Sequence, residues 1–228
     1  MDSGSGLPQL AIGQHKLVAP RGAAVAGVLF SVLMATSIVL VRLAIPSAGG
    51  DILPLLEEPS RRTQVRVAVQ LAPFAGIAFL WFIGVFRNRL GKLEDQFFAT
   101  VFLGSGLLFV ASLFAAAAFS GALVESVASG RISSSNSDAF YLARQLTGAF
   151  QNVFAIKMAG VFIMSSSTIM LRTAVLPRVV ALCGYVCAAV LLLVITSWPW
   201  IALLFPAWML LLSATILLSE FRAPAGQN

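Results

Sequence analysis

The chain has 228 residues, of which 59% are hydrophobic and only 11% charged, and its mean hydropathy is +0.93. A globular domain carries about 25% charged residues, so a soluble core here would lack a polar cover. A cytosolic enzyme, a disordered chain and a disulfide scaffold are excluded, and the lipid bilayer remains as the surrounding partner. The formal charge of +6 does not point to nucleic acid, because the 15 Lys and Arg fall in ones, twos and threes at helix ends.

Long apolar runs bounded by charge or by Pro and Gly predict six spanning helices, at about 23–45, 65–86, 97–124, 145–171, 179–197 and 200–219. The fold expected is an all-α polytopic membrane bundle: a polar leader (1–22), one transmembrane domain (23–219) and a short tail (220–228). The leader is too long, and the first apolar run exceeds the roughly 7–15 residues of a signal core, so the first helix should be retained. Neither end carries a lipidation signal.

In chain order, the first span enters after Ala19-Pro20-Arg21, where proline is tolerated in the opening turn because its missing N–H had no partner there. The small residues Gly22 to Gly27 suit close helix packing. Arg42, ending this span, and Arg66, starting the next, are expected to anchor at the interface. The loop of about 46–64, with Leu55 and Leu56 beside Glu57 and Glu58, reads as an ordered connector. Pro73 frees a carbonyl in the second span, which Gln70 could satisfy. In the third, Gly104-Ser105-Gly106 and the run Ala115 to Ala118 read as packing points. Ser137 or Asp138 should cap the fourth helix. From there to Arg172 the helix would be about 50 Å long, more than the bilayer, so it must project, tilt or bend near Gly148. The fifth span enters at Pro177-Arg178 and holds Cys183 and Cys187, read as small apolar residues with parallel Cβ vectors rather than a bridge or metal pair. Ser197-Trp198-Pro199-Trp200 predicts a tight hairpin into the sixth span, with its indoles at the interface.

Basic residues set the orientation. Lys16, Arg21, Arg87, Arg89, Lys92, Arg172, Arg178 and Arg222 fall on one side, where the acids are Asp2, Glu94, Asp95 and Glu220. Arg42, Arg61, Arg62, Arg66, Arg131 and Arg144 fall on the other, offset by Asp51, Glu57, Glu58, Glu125 and Asp138. The first side should be cytoplasmic, with both termini in. The excess of Arg over Lys and the abundant Ala suggest a GC-rich bacterial genome and hence a plasma (inner) membrane.

A search for paired acids, His/Cys ligand sets, a nucleophile with its base and phosphate-cradling loops finds none. The single histidine, His15, lies in the leader, and no Asp or Glu falls within a span. No cofactor or metal is expected. The fourth span is the exception, with Arg144, Gln145, Gln151, Asn152, Lys157 and the run Ser165 to Thr168. At about 100° per residue Gln145 and Asn152 project together, with Arg144, Gln151 and Ser166 alongside, and Lys157 points almost oppositely. A charged ammonium near the midplane costs about 2.5–3.5 kcal/mol. Three accounts of Lys157 stand open: snorkelling or backbone satisfaction, a ligand or ion contact, and a partner-subunit contact or catalytic amine. A Ser-Lys dyad is poor, since the groups would lie about 12 Å apart along one helix. The candidate ligand site is Lys157, Asn152, Gln151 and Arg144; on that reading Lys157→Met abolishes binding.

Pro20-Arg-Gly-Ala-Ala-Val-Ala-Gly27 and Pro177-Arg-Val-Val-Ala-Leu-Cys-Gly184 share P-R-x-x-A-x-x-G, each entering a helix from the same side. With the polar fourth span and the Leu176-Pro177-Arg178 entry, the chain over about 20–220 resembles an uncharacterised bacterial six-span family, a domain of unknown function. That resemblance implies a six-helix fold and carries no catalytic residues. The leading functional expectation is a non-catalytic membrane protein assembling with itself or within a larger complex. A small-anion or lipid carrier using the fourth span is the alternative, and an intramembrane enzyme comes last.

Overall fold

The structure, a computed structural model, describes residues 19–45, 53–90, 96–131, 138–173, 177–193 and 200–222. The leader with His15 and Lys16, the serines at 133–137, Trp198 and the tail after Arg222 lie outside these. Among the described residues every element is helical: α1 (Ala19–Ala44), α2 (Leu53–Glu57), α3 (Pro59–Leu90), α4 (Gln96–Ala128), α5 (Asp138–Gly148), a π-helical stretch (Ala149–Ala155), α6 (Ile156–Thr173), α7 (Arg178–Leu193), a 3-10 turn (Ile201–Leu203) and α8 (Leu204–Arg222).

The sequence fits a bundle in lipid because each long helix has two apolar sides. Outward, Val25, Leu29 and Val32 on α1, Phe74, Ile77 and Trp81 on α3, and Val179, Leu182 and Val186 on α7 recur at helical spacing and are exposed. Water would not tolerate stripes of this extent. Five helical segments are long and apolar enough to cross a membrane: Arg21–Ala44, Pro59–Arg87, Phe97–Ala128, Asp138–Thr173 and Ile201–Ser219. Arg178–Leu193 is a shorter apolar helix, about 24 Å at 1.5 Å per residue; residues 194–197 of the expected span of about 179–197 lie outside the described residues.

The helices form a ring in which α1 packs on α3, α3 on α4, α4 on α6, α6 on α7 and α8 back on α1. The expected tight pairing of α7 with α8 is loose: α8 rests chiefly on α1, and α7 chiefly on α6. Inside the ring, Phe30, Phe79, Phe109, Phe162 and Phe205 form one cluster, with centroids 4.8 Å apart for Phe30–Phe79, 4.9 Å for Phe79–Phe162 and 4.8 Å for Phe109–Phe205. The first two pairs are tilted and the third is edge-to-face, the arrangement that the ring quadrupole favours. The cluster fills the middle of the bundle.

Small residues permit the closest helix contacts. A Cβ at Gly27 would collide with Ser213 Oγ of α8, and one at Gly184 would collide with Ser167 Oγ of α6 and stand 2.9 Å from Trp208 Nε1 of α8. Both glycines end a P-R-x-x-A-x-x-G entry, so the repeated motif does the same packing work twice. Of Gly104 and Gly106 only the second is a packing point: a Cβ there would lie 2.5 Å from Ile83 Cδ1, and one at Gly104 meets nothing within 4 Å.

Polar groups inside the helices are satisfied mostly by their own backbone. Ser165 donates to Phe162 O, and Ser166 to Phe162 O and Ile163 O. In the turn before Pro73, which leaves Val69 O without its helical donor, Ser37 of α1 donates to the neighbouring Ala68 O across the interface at 3.0 Å, and Gln70 is exposed. Helix α4 ends in a Schellman motif: Gly130 has φ +66°, with Gly130 N–H bonded to Val127 O and Arg131 N–H to Ser126 O. Only glycine takes that conformation without strain. The end of α1 is capped from α3, where Arg61 Nη1 donates to Ala44 O at 2.9 Å. Glu58 holds Arg61 at 2.7 Å. Hydrogen bonds from Ser60 and Arg61 hold the Glu58 carboxyl below the usual carboxylate range.

Candidate functional site

Helix α5 runs into α6 without a break, since Gly148 (φ −61°) and Ile156 (φ −63°) are both right-handed helical. The long helix does change winding immediately after Gly148, where the sequence predicts an adjustment. Residues 149–155 follow i→i+5 hydrogen bonding, which widens the turn and displaces the side chains before it from the simple 100° register. Arg144, Gln151 and Asn152, which lie on adjoining stripes of the helix, share the wall of one chamber.

This chamber has a volume of about 180 Å³ and opens at the end of the bundle where α1 and α4 finish and α3 and α5 begin. By the same measure one water needs about 10–15 Å³, so the space suits a small polar molecule. Its polar wall consists of Arg42 of α1, Ser120 of α4, and Arg144, Thr147, Gln151 and Asn152 of the long helix. Two of these are guanidiniums, and among the described residues no carboxylate lines the chamber. Ser120 and Thr147 spend their hydroxyl protons on Ala116 O and Ala143 O, which leaves their oxygens as acceptors. Arg42 Nε is buried without a hydrogen-bond partner among the described residues.

Arg42 is the residue that the sequence reading misplaced. Taken as an interface anchor because it ends a span, it lines the chamber instead. The signal was present: Phe30, Met34 and Ile38 are buried, and Arg42 continues their spacing of four, the inward stripe of a helix. Arg66 does lie at the surface, 3.4 Å from Glu125 of α4.

Lys157 stands apart from the other three predicted site residues. Its Nζ donates to Leu191 O at 3.1 Å and Leu192 O at 2.8 Å, the terminal carbonyls of α7. Those groups belong to the last described turn of α7, where the helix dipole places negative charge. Of the three accounts left open by the sequence, backbone satisfaction is the one that this geometry displays. Hydrogen bonds from a charged donor are worth about 1.5–3 kcal/mol. Lys157→Met should therefore speed amide hydrogen exchange in the last turn of α7 about tenfold or more and leave ligand binding in the chamber intact. Unchanged exchange would remove the capping role.

A second, apolar crevice of about 60 Å³ adjoins the chamber, sharing Val41, Ser120 and Gln151 with it. Its walls are largely alanine, including Ala68, Ala72, Ala116 and Ala159, and Phe109 and Phe205 of the central cluster belong to its lining. The alanine run of α4, expected as a packing point, thus also leaves a gap. No group of three or more His, Cys, Asp or Glu that could hold a metal occurs among the described residues.

Compared with protein-family models, with curated proteins and with solved structures, the chain matches none.

Proposed function

We propose that the chain is a six-span membrane protein with both termini cytoplasmic, whose outward-facing chamber binds an anion. Arg42 and Arg144 supply the charge and Gln151 and Asn152 the neutral donors. The observation that carries this reading is the buried Arg42 Nε, without a hydrogen-bond partner among the described residues, in a chamber with a second guanidinium in its wall. Leaving a buried donor unmet costs about 1–3 kcal/mol, more for a charged group. An oxyanion offers the two-oxygen geometry that a guanidinium fork matches. The six-span count takes α7 as a membrane crossing, and the bacterial plasma membrane follows from composition alone. Assembly with other subunits has no such support: the exposed apolar stripes are what lipid alone requires.

The test is thermal unfolding of the full chain in an uncharged detergent with millimolar hexanoate. A ligand at one hundred times its Kd stabilises by about 2.7 kcal/mol, so the midpoint should rise by several degrees. Arg42→Gln and Arg144→Gln should each abolish the rise. Equal stabilisation by hexanol, or a rise that survives in both variants, would overturn the reading.

A further inference from the structure

Anion binding accounts for the polar chamber and leaves the alanine-walled crevice unexplained. The crevice borders the chamber, with Val41, Ser120 and Gln151 in the lining of both. Gln151 lies in the π-helical stretch, so the same widened turn faces the charged chamber and the apolar gap. We infer that the ligand is a single-chain amphiphile, with an oxyanion head between Arg42 and Arg144 and an alkyl tail in the crevice toward Phe109 and Phe205. This inference rests on the anion-binding reading and adds the chemical class of the ligand.

Charge, shape and size point the same way. The head end has two cationic side chains in its lining, whereas the tail end has, apart from Gln151 and two serines, only apolar residues. A volume of about 60 Å³ amounts to about four to six water-sized units, room for one short run of methylenes and not for two chains. The alanines cannot close the gap, because each stops at Cβ. A ligand whose tail enters from the chamber brings its head to the guanidiniums without crossing the central phenylalanines.

The experiment is a chain-length series of straight-chain carboxylates, from acetate to decanoate, binding to the full-length protein in an uncharged detergent, with free concentrations measured. Burying each methylene is worth about 0.8 kcal/mol, so affinity should rise roughly threefold to fourfold per carbon. The rise should level off after about four to six methylenes, when the crevice is full. Ala116→Leu, filling the gap, should flatten the series while acetate still binds; Ala72→Leu gives the same readout from α3 if the first variant does not fold. Arg144→Gln should lose the whole series. Acetate binding without chain-length dependence in the wild type would overturn the amphiphile and keep the anion. Loss of every carboxylate would overturn both. Dihexanoyl phosphatidate binding more tightly than hexyl phosphate would show that a two-chain lipid is the occupant and would overturn the single-chain assignment.

Discussion

Replacing Phe79 with alanine is expected to destabilise the protein by about 3–5 kcal/mol, the range for deleting a fully buried aromatic ring. Phe79 is 0% exposed, and its ring centroid lies 4.8 Å from Phe30, 5.3 Å from Phe109, 4.9 Å from Phe162 and 5.6 Å from Phe205. One side chain therefore ties α3 to four other helices. In a bilayer the exclusion of water contributes little to helix association, so dispersion and ring geometry carry it. At about 0.5–1.5 kcal/mol per aromatic pair, four lost pairs are of the same size as the cavity penalty. Phe79→Leu keeps most of the volume and should cost markedly less. Equilibrium unfolding in mixed micelles measures both, and an alanine variant within about 1 kcal/mol of wild type would show that the cluster is not the keystone of the ring.

Gly184→Leu should cost about 3 kcal/mol, toward the upper end for overpacking. The first added carbon collides with Ser167 Oγ and stands 2.9 Å from Trp208 Nε1, so α7 must withdraw from α6 and α8 together. Gly184→Ala is the diagnostic form, because its single methyl meets one removable atom, Ser167 Oγ, beside the Trp208 indole at 2.9 Å. Ser167 Oγ is buried without a hydrogen-bond partner among the described residues, so Ser167→Ala alone should be close to neutral. The double variant should recover part of the stability lost in Gly184→Ala, the remainder belonging to Trp208, a favourable coupling that a double-mutant cycle reads directly. Additive losses would place the strain elsewhere.

The helical class, the positions of the long spans and the polar character of the fourth were legible because each depends on local composition or on a run of apolar residues. Trp200 is exposed at a helix end, as its amphipathic ring suggested. What escaped depends on neighbours distant in sequence. Lys157 was conspicuous as a charge, but its role is fixed by where α7 ends, 34 and 35 residues later. The chamber was half visible: Arg144, Gln151 and Asn152 were named and grouped by helical rotation, yet the walls that α1, α3 and α4 add to them depend on tertiary packing. Arg42 was overlooked for a different reason. Its spacing from Ile38 marked it as inward, and the cost of burying a guanidinium argued for the surface; a half-buried place in the chamber wall reconciles the two. The crevice could not be read at all, since alanines that close a helix contact and alanines that leave a gap look the same in a sequence.

The phenylalanine cluster has a consequence for traffic. With five rings packed together in the middle of the bundle, a molecule bound in the chamber as proposed would meet aromatic side chains on the way toward the opposite end. On the proposed reading, occupancy would follow concentration on the chamber's side of the bundle.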